Sequence, residues 1–390
     1  MRLLMLSGDR RSATGEHGPF HHLAREFSRW FERIDVLSPR ADGAVTTTRL
    51  FENVHLHPAT CGRFGMPAFL VGRGGELVRE HRHDLIVSHD YGWFYNGVAA
   101  ARLSSTTGVP YLSEIHHVPG VPVPADAREV FDRFVAQRYV RWARTRARAF
   151  RVVNRIEMPR LLESWGVPKE HIVVLPSLYM DLERFAPAPT ERDCDVLFVG
   201  RLVVNKGLFA LVDALAEVAR TRPALTATFV GRGPLRGKLE AALARRGLEG
   251  RVKLIEWLAD DRALVDVYRR ARVVVCASTC EGGPRVTVEA MACGTPVVST
   301  PVGVMPELLG DGRGGLLCGF EAASIAQALG QLLGDDALRE RMGREARTIA
   351  SAFEYADVIG GYARGLHALV GSVPVRRAGK DVGADAGGAA

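Results

Sequence analysis

The feature that most constrains this chain is a succession of short, continuously apolar runs, of which Val273-Val274-Val275-Cys276-Ala277 is typical. Such a run is strand-sized and far too short to span a bilayer. It lacks the polar alternation of a half-wet sheet, so it belongs in a parallel sheet covered on both faces. Strands are expected at residues 2–7, 34–38, 54–57, 84–88, 110–115, 149–153 and 172–175, then at 195–199, 225–230, 252–256, 272–277, 295–299 and 315–318. Helical patterns alternate with them. That order implies βαβ units and a doubly wound α/β sheet in each half of the chain.

The halves join at Ala186-Pro187-Ala188-Pro189-Thr190, a proline-punctuated spacer before a fresh strand. Domains are therefore expected over residues 1–185 and 186–351, ordinary sizes for a chain of 390 residues. Over 352–370 the positions Phe353, Tyr355, Ile359, Tyr362, Leu366 and Leu369 recur at helical spacing, giving that helix a face to bury. Residues 371–390, rich in Gly and Ala, read as a flexible tail. Leu3-Leu4-Met5-Leu6 is too short for a signal-peptide core and reads as a buried first strand. The six cysteines form no CxxC pair and no zinc spacing, which suits a reducing cytoplasm.

A net charge of +7 asks for an anionic partner. No helix-turn-helix, RNP-like aromatic stretch or zinc-finger spacing accompanies it, so nucleic acid is set aside. A nucleoside diphosphate and an anionic membrane surface remain. Residues 128–151 hold eight arginines against two acids, interleaved with Phe131, Phe134, Val135, Tyr139 and Trp142. That pattern reads either as a helix whose apolar stripe packs on the sheet or as a peripheral contact with the inner membrane face.

The densest chemistry lies in the segment from Cys280 to Thr300. There a strand ends, Gly282-Gly283-Pro284 turns, and a helix starts near Arg285. Such a junction offers unpaired amides and a positive dipole end to an anion that glycine lets come close. Glu281 and Glu289 bracket it and suit sugar hydroxyls better than phosphate. Further back, Gly200-Arg201 and Lys206-Gly207 set two cations after a strand, one able to grip phosphate in bidentate fashion and one a point charge.

Together these segments resemble the retaining GT-B glycosyltransferases, and their flanks are similar to family 4 of that class. The resemblance implies two Rossmann-like domains facing each other across a cleft, with a C-terminal helix crossing back to the N-terminal domain. It also implies that Glu281 contacts the transferred sugar, that the amides after it (Gly282, Gly283, Pro284, Arg285) meet the diphosphate, and that Glu289 binds the ribose. Arg201 and Lys206 would neutralise the leaving diphosphate. Gly231-Arg232-Gly233-Pro234 is similar to the family's G-x-G-P turn, with Arg232 a departure from its acidic or small middle residue. Gly15 falls where a glycine loop of the first domain would approach phosphate. His116 fits the family's sugar-facing histidine better than His117, and His89 is a further candidate at a strand end.

The activity implied is transfer of a sugar from a nucleoside-diphosphate sugar to a hydroxyl of a glycan, glycolipid or small molecule, with retention. No metal or cofactor is implied, since Asp260-Asp261 and Asp335-Asp336 are not D-x-D and sit at helix starts. A GT-B-fold epimerase or phosphorylase, or a silent nucleotide-sugar-binding subunit, stays open as an alternative.

Overall fold

The computed structural model of the chain describes residues 1–14 and 18–373. Gly15 and residues 374–390, most of the expected tail, lie outside them. The described chain forms two compact units. The first holds Met1–His89, Tyr95–Leu112 and the chain from Ile359; the second holds Asp90–Phe94 and Ser113–Val358. By contacts, residues 113–185, on the N-terminal side of the proline spacer, group with the second unit.

In the first unit, β1 (Arg2–Leu6), β2 (Arg33–Ser38), β3 (Arg49–Leu50), β4 (Val54–Pro58) and β5 (Leu85–His89) line up in the order β3-β4-β2-β1-β5. All pairings are parallel except that of β3 with β4. Strand β3 escaped the sequence reading because its return turn uses Phe51 and Glu52 at φ of 49° and 64°, left-handed positions with no glycine to mark them. Its two residues are also too few to show alternation.

Inside this unit Asp35 of β2 is fully buried and still charged. Arg33 grips it at 2.6 and 3.0 Å, and His57 and His83 each reach it at 2.8 Å. Burial alone pushes its carboxyl up, but these hydrogen bonds outweigh that and hold it far below the usual carboxylate range.

The helix Tyr355–Leu369 crosses between the units. Its start is tied to Met180 in the second, and from Ile359 on it packs in the first. Ile359, Tyr362, Ala363, Leu366 and His367 form its buried stripe. Tyr362 meets Phe27 at 5.0 Å between ring centres, and His367 stacks on Phe31 and bonds the Trp30 carbonyl.

Strand β6 (Tyr111–Glu114) is divided between the units. In the second unit β7 (Ala149–Val152) and β8 (Ile172–Val174) pair in parallel. Beyond them come β9 (Cys194–Val199), β10 (Ala227–Val230), β11 (Val252–Ile255), β12 (Ala271–Cys276), β13 (Val297–Ser299) and β14 (Gly315–Leu317). They form an all-parallel sheet in the order β11-β10-β9-β12-β13-β14. Alternate residues feed two cores: Val196, Phe198, Val273 and Val275 face helices Leu208–Thr221 and Ala322–Gly334, while Leu197 and Val274 face Asp261–Arg270 and Arg285–Ala292. Burial on both faces explains the unbroken apolar runs. Among the described residues no helix is long and apolar enough to cross a membrane.

Replacing Asp35 by Asn removes the charge but keeps the shape, stranding Arg33. We expect a loss of about 3 kcal/mol at neutral pH in urea unfolding. Because the native carboxyl is depressed, its contribution is complete above the ordinary carboxylate range and is lost only as pH falls through the native value. The gap between Asp35→Asn and the parent should therefore close only in strong acid.

Candidate functional site

The order of the second sheet places β9 beside β12, the point where winding reverses. Connections leaving the carboxyl ends of these strands go to opposite faces and open a crevice. Every strong motif of the sequence sits on one of those two connections.

After β9 the chain runs through Gly200 and Arg201 into the single turn Val204–Lys206. Gly207 follows at φ 62°, and a Cβ there would run into the Ala277 carbonyl just past β12. Only glycine allows that approach. The amide of Thr279 bonds the Asn205 carbonyl at 2.9 Å and fastens the two loops together. Lys206 is thereby delivered to Glu281: its Nζ pairs with Oε1, which also accepts from Ser278 Oγ at 3.1 Å. Arg201 stays exposed, with no ion-pair partner among the described residues. The Arg232 carbonyl takes the Leu202 amide at 2.7 Å, and the Arg232 guanidinium lies 4.4 Å over the ring of Trp257, an indole 70% exposed after β11.

The loop after β12 touches the turn after β6. A Cβ on Gly282 would collide with the His116 carbonyl, and Cys280 Sγ donates to the Val118 carbonyl at 3.2 Å. His116 directs Nε2 toward Arg151 Nη1 at 3.4 Å, and Arg151 is buried against Glu114 at 2.8 Å. A guanidinium can only donate, so in this contact Nε2 is the accepting side. His117 is the ring that lies in the field of the cluster. Crowding by protein pushes its imidazolium down; Glu281 opposes this, and Lys206 and Arg201 add to it. Both rings are solvent-accessible.

Leu178 covers Gly283, and Pro284 leads into the helix Arg285–Ala292, whose first-turn amides form its positive end. Glu289 is buried on that helix with both oxygens held, Oε2 by Tyr268 OH at 2.7 Å and Oε1 by Arg285 Nε at 2.8 Å. Burial, and then Glu289, raise the Tyr268 phenol well above its ordinary value, so it remains the donor. Arg285 also lies 5.6 Å over Tyr179.

The structure thus gathers Glu281, Lys206, Ser278 and Gly282 beside the His116-His117 turn, with Glu289 and Arg285 one helix away. His89 belongs to the other unit, and Asp260 and Asp335 cap helices by accepting from Ala263 and Leu338 amides at 2.9 Å. Ser278, Tyr268, Asn154 and Glu157 were not read from sequence. Asn154 bonds the Gly282 carbonyl at 3.4 Å. Glu157 accepts the Gly303 amide at 3.3 Å, and Gly303 packs on the backbone of Glu281 and Gly282. The only signal for Glu157 is a lone acid between Ile156 and Met158.

Two sequence families match the chain: glycosyl transferases group 1 over residues 170–349, and the glycosyl transferase 4-like domain over residues 17–177. The D-inositol 3-phosphate glycosyltransferase of Nocardia farcinica is 33% identical over 328 residues, 77% of this chain and 70% of that protein. That of Acidothermus cellulolyticus is 32% identical over 314 residues, 73% of this chain and 67% of its own. Among solved structures, Anabaena HepE in complex with UDP superposes with a TM-score of 0.75 at 25% identity, over 94% of this chain and all of the other. Sucrose-phosphate synthase from Thermosynechococcus elongatus shares the fold, with a TM-score of 0.75 at 20% identity over 94% of this chain and 99% of its own.

Burial pushes the Glu157 carboxyl up to about 7, against the pull of the Gly303 amide, and its Oε1 is buried without a partner among the described residues. The native state therefore holds a proton that the unfolded chain has already released, and stability falls as pH rises from the ordinary carboxylate range through about 7. Glu157→Gln should stabilise the protein above neutrality by up to about 3 kcal/mol, taking ~1.4 kcal/mol per pKa unit. Melting curves recorded across that range should show the advantage fading toward acid.

Proposed function

The chain belongs to the group 1 glycosyltransferases, of the family 4 type with the GT-B fold, and from that premise we propose that it transfers a sugar, with retention, from a nucleoside-diphosphate sugar to an acceptor hydroxyl. The observation that carries this reading is the Glu281 carboxylate, paired with Lys206 and Ser278 at the reversal point of the second sheet, with the exposed Arg201 on the loop that delivers Lys206.

Glu281 holds hydroxyls of the transferred sugar, and the amides from Gly282 to Arg285 with the positive end of their helix receive the diphosphate. Glu289, immobilised by Tyr268 and Arg285, accepts from the ribose. Trp257, braced on one face by Arg232, offers a surface for the base, and Gly231 lets the turn beneath it close. Bond breaking pushes negative charge onto the departing diphosphate. Arg201 is charged and uncommitted before that happens and needs no reorganisation, which is where rate is gained, while Lys206 is drawn from Glu281 as that charge develops. The departing oxygen is the nearest base for the acceptor proton, so no separate acid–base pair is required. His116, its Nε2 turned toward Arg151, and His117, its imidazolium disfavoured by crowding, border the sugar's side of the site. Gly15 would add amides from the first unit. The donor is the co-substrate, and neither metal nor cofactor has a role in this scheme.

The UDP-bound neighbour at 25% identity makes UDP-sugars the first donors to test, and the names of the relatives at 32–33% identity put a phosphorylated cyclitol first among acceptors. Incubation with UDP-, GDP-, ADP- and dTDP-sugars, with product configuration read by NMR, tests the proposal. Epimerised donor without acceptor, or an inverted product, would replace it.

Arg201→Ala should lower kcat by about 2–4 kcal/mol, thirty- to a thousand-fold, with the fold intact. Arg201→Lys should remain impaired, because a point charge cannot grip two oxygens. Tyr268→Phe frees one oxygen of Glu289 and should raise donor KM more than it lowers kcat. That split should vanish for a donor lacking the ribose hydroxyls.

A further inference from the structure

The helix Ala127–Ala143 carries apolar side chains on two opposite faces. Ala136, Tyr139, Val140 and Ala143 point inward, where Tyr139 OH bonds Asp90 at 2.7 Å and its ring stacks on Phe94. The packed-stripe expectation therefore accounts for Tyr139 but not for Phe131, Phe134 or Trp142. On the outer face Val130, Phe131 and Phe134 are 55%, 51% and 57% exposed, followed by Arg138, Arg141 and Trp142. Trp93, on the neighbouring loop of the same unit, is 59% exposed and stands edge-on to Phe131 at 6.0 Å. Residues 91–93 and 123–142 hold half of the exposed large apolar side chains among the described residues. Such clustering is unusual for a surface that meets only water.

The uncommitted charges around this patch are positive, since Asp126 caps the helix. Asp132 lies 3.8 Å from Arg128, and Glu129 is spent on the Ala125 amide at 2.8 Å. Arg133, Arg138 and Arg141 are exposed and have no acidic partner among the described residues. Arg146 folds back over Trp142 at 4.5 Å, so its stem covers the ring while its charge stays at the surface. A second copy docked face to face would set arginines against arginines. A face of aromatic rings edged by guanidinium groups fits a layer that is apolar below and anionic above.

We propose that the outer face of this helix, with Trp93, docks on an anionic phospholipid bilayer. The aromatic rings enter the headgroup–acyl boundary and the arginines lie among the lipid phosphates. The segment leading into the helix bonds the Glu281 loop through the Val123 amide and the Thr279 carbonyl at 3.3 Å, so the docking face is structurally continuous with the candidate site.

Flotation of the full chain with vesicles of phosphatidylcholine, with and without phosphatidylglycerol, tests this. Binding is expected only with the anionic lipid, weakening as salt rises. Phe131→Ser with Phe134→Ser should cut the partition coefficient at least about tenfold. Arg138→Gln and Arg141→Gln should each cost roughly fivefold. Melting temperature and donor hydrolysis in solution should be unchanged in all of them. If the serine pair melts early, the glutamine variants carry the test alone. The proposal falls if the parent stays unbound with anionic vesicles, or if the variants float as well as the parent. It also falls if light scattering shows a vesicle-free dimer that the serine pair dissolves, which would assign the face to a second copy.

Discussion

The site depends on one pairing. β9 and β12 lie side by side, with Val196 opposite Val273 and Leu197 opposite Val274, although two strands and three α-helices separate them in sequence order. Their connections wind away on opposite faces, so the space beyond their carboxyl ends is left to loops. Those loops meet backbone to backbone where glycine removes the Cβ, at Gly207 against Ala277, and Gly282 of the second loop meets the turn after β6 at His116. Placement of Lys206 beside Glu281 follows from these contacts. It is not a property of either loop alone.

The polar groups are held in graded fashion. Glu289 has each oxygen committed to a neighbour, which fixes it as an acceptor aimed in one direction. Glu281 shares one oxygen between Lys206 and Ser278. Lys206 is therefore neutralised within the protein, and in the proposed reaction a diphosphate would compete with Glu281 for it. Arg201 has no such commitment among the described residues, so its charge is undiluted. Electrostatic preorganisation of this kind is paid for during folding, before any substrate arrives.

Much of this was legible in the sequence, and the exceptions have physical causes. Runs such as Val273–Ala277 announce parallel strands because both faces are covered, and Glu281-Gly282-Gly283-Pro284 announces a strand-to-helix turn because its composition suits little else. Tyr268 gave no signal, since a tyrosine at the end of a helix reads as core until its hydroxyl is seen to meet Glu289. The neighbouring histidines could be ranked only through the resemblance, which favoured His116. Which ring turns toward Arg151 and which toward Glu281 depends on side-chain direction, which spacing does not encode. On helix Ala127–Ala143 the aromatic spacing was visible, but two apolar faces on one helix cannot be ranked without knowing which one the sheet occupies.

The path of the last helix bears on how the molecule is made. The first unit contains the earliest residues of the chain, yet Phe27, Trp30 and Phe31 find their partners in Tyr362, Arg364 and His367. A ribosome delivers those partners after nearly all of the second unit has emerged, at about 5–20 residues per second. The unit begun first is thus completed last. Until then those rings lack the partners that cover them in the finished protein.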